Sequence, residues 1–470
     1  MNYDTDNSSM STLSTSATSL ANQNKSCWWQ RARKSNISIA CLVALVLFTD
    51  MLVYGAVIPC LPALVLDKFH GTPKDIGFLF GCFAFGYLVA TPLFGILSDK
   101  YQNRRYGLML GTFCIISSTL LFAWASSYIM LVMARVCQGA SAGASWTIGL
   151  GMLADAFPVD RLGRAMGTVI LSHTVGFLLG PVMGGFLYDY GGTLAPFYFC
   201  SAFGLLTLVG TVCIAEPIKA QEQSMDTSKD PVQKARVDES APLLSSATSS
   251  SSSTATVNSM QKQPPGRQLY TLISNPRITA CLLCCFVTSA ALAGIEPALP
   301  IHLENKYHVS TSTIGAIFIA LVVPSFLGPV TGYFSDKFGR PLFIGIGMVV
   351  MSIASVLVGL PVSSYKHMLP ALFLFGLSNP LIHTPLMPEM GAAVTDMGSN
   401  AFAQVYALYN MAYSLGIFVG PLLAGVIMSC NSIDLNQRFQ ILMLIFSGVI
   451  IISSPVILIN QRKRAYYKRK

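Results

Sequence analysis

The feature that most constrains this fold is a series of twelve apolar runs, each about as long as a bilayer is thick. Crossing roughly 30 Å of hydrocarbon takes about 20 apolar residues of α-helix, so each run predicts one membrane-spanning helix. Charged residues make up only 11% of the chain, against about 25% in soluble domains, which excludes a water-soluble globule. The runs cover residues 37–62, 76–97, 106–125, 128–153, 165–187, 195–215, 277–300, 313–334, 341–361, 367–388, 400–427 and 439–459.

The two halves of the chain repeat each other. Residues 95–105 form a polar loop after the second run, and residues 332–340 repeat its Ser-Asp-Lys core after the eighth. Two further motif pairs keep almost the same spacing, and three pairs in one order indicate a duplicated unit. We therefore predict an all-α polytopic membrane protein, built as two pseudo-symmetric six-helix bundles. The pairs are Asp99 with Asp336, 59–62 with 297–300, and 176–181 with 416–421.

The apolar runs and the composition divide the chain into five segments. The N-terminal tail and the middle of the chain are rich in Ser and have no apolar periodicity, which is typical of disorder. The predicted segments are a disordered tail at 1–36, the first bundle at 37–215, a Ser-rich linker at 216–276, the second bundle at 277–459 and a basic tail at 460–470.

Basic residues predict the orientation, because Lys and Arg of short loops stay on the cytoplasmic side of a membrane. With the N-terminus inside, the tails and inner loops hold 17 of these residues and the outer loops hold 5. Both termini and the linker are therefore predicted to be cytoplasmic. The net charge of +9 is explained by attraction to anionic lipid of the inner leaflet, so it does not call for nucleic acid.

The linker contains one candidate docking motif. Glu239, Leu243 and Leu244 have the acidic-dileucine spacing that sorting adaptors read on endosomal and vacuolar cargo. A pattern this short also arises by chance, so a plain linker is the alternative interpretation. The expected location is the plasma membrane or a vacuolar or endosomal membrane.

Several ionisable residues lie inside the predicted spans. Such a residue costs a few kcal/mol or more in hydrocarbon unless it is paired or faces water, so each is a functional candidate. Asp50 lies in the first span, Arg135 in the fourth and Glu296 in the seventh. Because a guanidinium stays charged, Arg135 needs a partner, and we predict Asp50 as that partner. A structural hydrogen bond or a plain salt bridge is the alternative for Asp50, and His173 is expected to be an interhelical donor.

Polar aromatic residues form a stripe in the eleventh span. Tyr406, Tyr409 and Tyr413 follow i, i+3 and i+7 spacing, which is one face of a helix, and Asn410 lies between them. The usual role of such a stripe is packing. Tyrosines nevertheless indicate a partly wet surface, and their faces attract organic cations. Together with His383 of the tenth span and the three charged residues above, these side chains form the predicted solute and proton site.

These motifs together resemble the signatures of the major facilitator superfamily, and the similarity covers both halves. The glycine-rich run of the fifth span is similar to the pattern of the antiporter branch. Within the superfamily the chain resembles twelve-helix drug:proton antiporters, and vesicular amine transporters in particular. The residues that carry the motifs are Gly95, Asp99, Lys100 and Arg104 in the first loop, Gly332, Asp336, Lys337 and Arg340 in its copy, Arg135, Gln138 and Gly139 in the fourth span, and Gly176, Gly180, Pro181, Gly184 and Gly185 in the fifth.

The chain also departs from those transporters. His383 and Asn410 stand where vesicular amine transporters have acids, and Phe83 stands where they have a lysine. Gln102 replaces the usual glycine of the first loop. Only part of the amine machinery is retained, so another organic cation or a drug-like solute fits the sequence as well as a monoamine does.

The resemblance implies alternating access, in which the two halves rock about a site near the bilayer midplane. Asp50 is then the proton-binding carboxylate, Glu296 pairs with a cationic solute, and the tyrosine stripe lines the cavity. Asp99 and Asp336 are implied to latch one conformation at the cytoplasmic ends through charge pairs and helix N-termini. Two alternatives stay open: a facilitator or symporter of a neutral or anionic solute, and a membrane sensor that transports nothing.

The sequence predicts no enzyme, cofactor or metal site. Cys281, Cys284 and Cys285 have no second pair or His partner at zinc spacing, and small apolar packing residues are the simpler interpretation. No Gly-x4-Gly-Lys loop is present to cradle a phosphate, so ATP is not expected to drive this protein directly. The expected partners are a small cationic solute, protons and the lipid bilayer.

Overall fold

The computed structural model describes residues 35–101, 104–213, 265–399 and 401–469. Twelve long helices account for nearly all of these residues, which confirms the predicted all-helical fold. A short helix, Pro265–Ile273, precedes the seventh of them. The long helices are α1 Asn36–Lys68, α2 Pro73–Tyr101, α3 Arg104–Ala123, α4 Tyr128–Ala156, α5 Val159–Gly191, α6 Ala195–Cys213, α7 Pro276–Tyr307, α8 Thr311–Phe338, α9 Arg340–Gly359, α10 Leu369–Asp396, α11 Phe402–Met428 and α12 Leu435–Arg469.

Ten helices in the described ranges are long and apolar enough to cross a membrane. The other two, α4 and α10, contain more polar or interrupted sequence. In α4 this includes buried Arg135 and Gln138, and α10 contains Pro380, Pro385 and Pro388. Both helices pack between apolar neighbours, α4 between α2 and α3 and α10 beside α9. Polar groups of a span are tolerated where they face the interior of a bundle.

Two helices are irregular where prolines occur. Pro59 and Pro62 lie within α1, which ends in a π-helical turn, Leu64–Lys68. In α8 a 3-10 turn, Val323–Leu327, begins at the residue before Pro324. Because proline has no N–H and its ring collides with the preceding turn, a regular helix through residue 324 is disfavoured. The sequence predicted one uninterrupted span there.

The packing follows the internal repeat. Helix α1 packs most extensively against α5, and the corresponding helix α7 packs against α11. Similarly, α3 contacts α4 and α6, while α9 contacts α10 and α12. The two halves meet mainly along two helix pairs, α2 with α11 and α5 with α8. These two pairs are themselves related by the repeat.

Glycines allow the tightest of these contacts. A Cβ atom added at Gly176 or Gly184 would lie 2.4 Å from the carbonyl oxygen of Phe48 or Ala56 in α1. A Cβ atom added at Gly420 would lie 2.0 Å from the carbonyl oxygen of Ala290 in α7. Any larger residue at these positions must push two backbones apart. The glycine-rich run of α5 therefore sets the distance between α1 and α5.

The contacts between the halves mark one end of the bundle. In α2, Gly77 lies against Pro421 of α11, and in α8, Gly315 lies against Pro181 of α5. The loop between α1 and α2 is at this end, which we call the sealed end. The opposite end carries residues 95–105 and 332–340, and we call it the loop end.

Candidate functional site

Asp50 is buried in the middle of α1. Its exposed fraction is 3%, and Ser145 of α4 lies close to it. No hydrogen bond of normal geometry joins Asp50 Oδ2 or Ser145 Oγ to any residue that the structure describes, although the two side chains are close enough to interact. Buried polar atoms are nearly always hydrogen-bonded, and an exception calls for a specific explanation. Asp50 is therefore placed to take up a proton or a ligand group.

Glu296 is the second buried carboxyl group, with an exposed fraction of 8%. The hydroxyl of Tyr54 in α1 donates a hydrogen bond to Glu296 Oε2 in α7. Since α1 and α7 belong to different halves, this bond joins the halves at the centre of the bundle. Glu296 and Asp50 thus lie on the two central helices that the repeat relates.

Arg135 of α4 is fully buried and lies among aromatic rings. Its Cζ atom is 5.1 Å from the ring centre of Phe80, 5.8 Å from that of Phe83 and 5.6 Å from that of Phe122. Its Nη1 donates to Gln138 Oε1 at 3.3 Å, while Nε and Nη2 have no hydrogen-bond partner among the described residues. Cation–π attraction accounts for part of its stability in this position.

The predicted pair of Asp50 with Arg135 is not formed in this structure. Asp50 faces Ser145, which lies ten positions after Arg135 on α4, and ten residues of α-helix extend about 15 Å. The groups that interact electrostatically with Arg135 are Tyr54, Glu296 and Cys82. The sequence showed that both charges were buried, but it did not show that they lie at different heights.

Tyr54 is the central residue that the sequence analysis missed. Its ring centre is 4.6 Å from that of Phe83 and 6.1 Å from that of Phe177, so α2 and α5 fix the direction of its hydroxyl. A signal was present, because Tyr54 follows Asp50 by four residues and such residues share a helix face. Phe83 thus supports a tyrosine that contacts Glu296.

The tyrosine stripe of α11 lies along α10. The hydroxyl of Tyr406 lies 2.7 Å from where a Cβ atom of Gly391 would be, so Tyr406 packs on α10. Tyr409 also turns to α10, where its hydroxyl is 3.0 Å from His383 Nδ1. Tyr413 interacts electrostatically with Glu296. Tyr413 stacks on Tyr409, lies edge-on to His383 with ring centres 5.7 Å apart, and is the member of the stripe beside Glu296. That all three tyrosines line one cavity stays a prediction.

His383 connects three helices of the second half. Its Nε2 is 3.3 Å from Thr288 Oγ1 of α7, and its Nδ1 contacts Tyr409 of α11. Both ring nitrogens are thus engaged in an interhelical network. His173 lies edge-on to Trp146, with ring centres 5.2 Å apart. Asn410 is half-buried between the tyrosines.

The loop motifs form ion pairs within each half. Arg104 Nε contacts Asp155 Oδ2 at 2.5 Å and joins α3 to α4. In the second copy, Arg340 Nε contacts Asp336 Oδ1 at 2.8 Å, and Arg340 Nη1 donates to the carbonyl oxygen of Pro388 at 3.1 Å. Asp336 therefore pairs with the first residue of α9 in its own half.

The remaining motif residues are placed as follows. A Cβ atom added at Gly95 would lie 3.5 Å from the side chain of Thr147, and one added at Gly332 would lie 3.2 Å from that of Thr384. Lys337 lies 5.6 Å from the ring centre of Phe338. Lys100 lies in the last turn of α2. The Asp99 side chain and the linker residues Glu239, Leu243 and Leu244 lie outside the part of the chain that the structure describes.

Comparison with known proteins gives one family. The sequence model of the Major Facilitator Superfamily matches residues 43–264 and 281–469. The chain is 26% identical to the MFS-type transporter C18.02 of Schizosaccharomyces pombe over 415 residues, which cover 84% of this chain and 91% of the relative.

A second relative agrees with that family, and a solved structure agrees with the fold. The chain is 28% identical to the synaptic vesicular amine transporter of Mus musculus over 357 residues, which cover 75% of this chain and 61% of the relative. Among solved structures, a bacterial homologue of the human lysosomal transporter Spinster matches with a TM-score of 0.67 at 15% identity, covering 91% of this chain and 96% of that one. The fold predicted from the sequence is confirmed.

Proposed function

Because the chain belongs to the Major Facilitator Superfamily, we propose that it is a secondary active transporter that exchanges protons for an organic cation, an amine or a drug-like solute. Its relatives are transporters, and its long apolar helices make it an integral multi-pass membrane protein. Two halves that pack as structural repeats favour alternating access about a central site.

The observation that carries the proposal is a pair of buried carboxyl groups without ion-pair partners. Asp50 and Glu296 lie on α1 and α7, and neither forms a salt bridge with any described residue, although Arg135 interacts electrostatically with Glu296. A carboxylate in such a place is costly unless it binds a proton or a cation. A cycle in which these groups alternate between protons and a cationic solute satisfies both requirements.

The two carboxyl groups are proposed to have different tasks. Asp50 lies beside a serine and is enclosed, which suits a proton. Glu296 lies beside Tyr54 and Tyr413, whose rings attract an organic cation while the carboxylate neutralises its charge. Arg135 places a fixed positive charge near Glu296. Competition between the solute and protons for these carboxylates then couples the two fluxes.

The mouse relative is a synaptic vesicular amine transporter, which supports a cationic solute for this chain. Three residues argue that this solute differs from the amines of that relative. Phe83, His383 and Asn410 replace charged residues of the amine transporters. The structure brings Phe83 against Tyr54 and fills the place of one acid with the His383 network. We expect a singly charged solute with more apolar surface.

We propose that the loop end is cytoplasmic, because the basic residues of the short loops lie there. The sealed end then faces away from the cytoplasm, and the structure corresponds to a state that is closed on that side. The two bundles at 37–215 and 277–459 would be joined by the cytoplasmic linker at 216–276. Glu239, Leu243 and Leu244 would direct the protein to a vacuolar or endosomal membrane through sorting adaptors.

A neutral or anionic solute is the second candidate, since Arg135 has two nitrogens without partners among the described residues. In that case the guanidinium, rather than Glu296, would bind the solute. The enclosure of Arg135 by three phenylalanine rings opposes this candidate, because a solute has to pass between them. A sensor that transports nothing would retain the fold and show no flux.

Transport by purified protein in proteoliposomes tests the proposal. An imposed pH gradient is expected to drive uptake of an organic cation by the parent protein. Asp50→Asn is expected to abolish the proton-driven flux, and Glu296→Gln is expected to weaken uptake of cations more than uptake of uncharged solutes. Asp434→Asn, which removes an exposed acid at the sealed end, is the matched control. A parent protein that shows no pH-driven flux of any cation would overturn the proposal.

A further inference from the structure

The sealed end is closed by two contacts of the same kind. Asp189, near the end of α5, accepts a hydrogen bond from the backbone N–H of Ser312 at 2.7 Å. Ser429, directly after α11, accepts a hydrogen bond from the backbone N–H of Lys74 at 2.8 Å. Ser312 and Lys74 are each the second residue of their helices, α8 and α2. In both contacts a side chain of one half caps a helix of the other half.

The internal repeat relates the two contacts position by position. Each acceptor lies two helical turns after the proline of its helix, Pro181 in α5 and Pro421 in α11, and the two donors occupy corresponding positions of the two halves. The packing beneath the caps corresponds as well. A Cβ atom added at Gly315 would lie 2.1 Å from the carbonyl oxygen of Pro181, and one added at Gly77 would lie 2.3 Å from that of Pro421.

Such caps exist only while the sealed end is closed. The first N–H groups of an α-helix have no partner within the helix, and an oxygen of a nearby side chain commonly accepts from them. Ser310 Oγ already accepts a hydrogen bond from the backbone N–H of Thr313 at the start of α8. The acceptors for Ser312 and Lys74 come from the opposite half, so they leave when the two halves separate.

We infer that Asp189 and Ser429 are latches that hold the sealed end closed, and that the Asp189 latch is the stronger of the two. Asp189 carries a full negative charge at the positive end of the α8 dipole, whereas Ser429 is neutral. A hydrogen bond to an ionised acceptor is roughly twice as strong as one between neutral groups. The side chains of Ser310, Thr311 and Ser312 also donate to Asp189. Its release therefore limits opening at this end.

Because only the Asp189 latch is charged, the two latches are predicted to respond differently to salt. Asp189 is exposed, so dissolved ions screen its attraction to the helix N-terminus. The Ser429 contact has no net charge and is insensitive to salt. This inference requires only that the halves separate at the sealed end, and it holds for a cationic, neutral or anionic solute.

Exchanging the two acceptors tests the latches. Full-length protein in lipid nanodiscs, with its exposed native cysteines replaced by serine, carries spin labels at Ser127→Cys and Ser363→Cys, two exposed loop positions at the sealed end in opposite halves. Pulsed electron spin resonance then gives the ratio of separated to closed populations. Asp189→Ser is expected to raise this ratio about two- to fivefold, the size expected for loss of a negative charge at a helix N-terminus. Ser429→Asp is expected to lower it.

Two further variants separate the latch from general effects of charge. Ser312→Pro removes the backbone N–H and the hydroxyl of Ser312 but keeps the charge of Asp189, and proline is tolerated in the first turn of a helix. It is also expected to raise the ratio. Asp434→Ser removes an acid of the same end and is expected to leave the ratio unchanged. Raising the salt concentration is expected to open the parent and not Asp189→Ser. Equal ratios for Asp189→Ser and Asp434→Ser, or a salt response that Asp189→Ser retains, would overturn the inference.

Discussion

Replacing Glu296 by glutamine changes the charge of the proposed solute site with little change in its shape. Glutamine fills almost the same volume, and its amide oxygen accepts the hydrogen bond that Tyr54 donates. The contact between α1 and α7 is therefore retained, and the negative charge is lost. A hydrogen bond to a charged group contributes about 1.5–3 kcal/mol, which corresponds to a rise in Kd of about 10- to 150-fold for a cationic solute.

Binding of a radiolabelled organic monocation to purified protein measures this effect without transport. An uncharged analogue of the same shape is expected to bind the parent and Glu296→Gln with similar affinity. Tyr54→Phe serves as a comparison, because it removes the hydrogen bond and keeps the charge; it is expected to change the Kd of the cation by less than Glu296→Gln does. A change below threefold for Glu296→Gln, or an equal loss for the cation and its neutral analogue, would refute the assignment of Glu296.

Three further substitutions test the packing and the polar network. Gly420→Ala places a methyl group 2.0 Å from the carbonyl oxygen of Ala290, so we expect it to lower the free energy of unfolding by about 1–3 kcal/mol, measured as a lower unfolding temperature in detergent. Gly448→Ala in α12 meets no atom within 4 Å, and alanine is the better helix former by about 1 kcal/mol, so the same measurement should show no loss of stability. Tyr409→Phe leaves His383 Nδ1 without its partner at 3.0 Å and is expected to cost about 1–3 kcal/mol with little effect on the Kd of a cationic solute; a large change in that Kd would place the His383 network in the solute site.

The sequence predicted the architecture because two independent patterns agree. The apolar runs, each long enough to cross a bilayer, fix the number of helices, and the repeated motifs fix their division into halves. The break in α8 was missed, although Pro324 lies inside the apolar run. An apolar run does not show at which height in the bundle a side chain lies. That height depends on how far each helix is shifted along its neighbour.

The candidate site shows this limit clearly. Asp50 and Arg135 were both recognised as buried charges, and pairing them was the simplest interpretation. The structure sets Asp50 at the level of Ser145 and leaves Arg135 near Tyr54 and Glu296. Helix periodicity orders residues around one helix, whereas contacts between helices depend on packing that periodicity does not describe.

The repeat explains why the chemistry of the two halves differs although their scaffold is shared. In the register that pairs 59–62 with 297–300, Asp50 corresponds to Thr288, and Glu296 corresponds to Ile58. The glycines that set helix distances occur in both copies, since each copy needs the same close packing. The acids each occur in one copy only. Thr288, in the place of Asp50, contacts His383, and Ile58, in the place of Glu296, is a fully buried core residue. A carrier with both acids in both halves would have four buried carboxyl groups to neutralise, and each would add several kcal/mol of desolvation. One acid from each half, at different heights along the central helices, gives the proposed site two unlike groups and leaves the packing positions of the two halves alike, as the proposed alternating access requires.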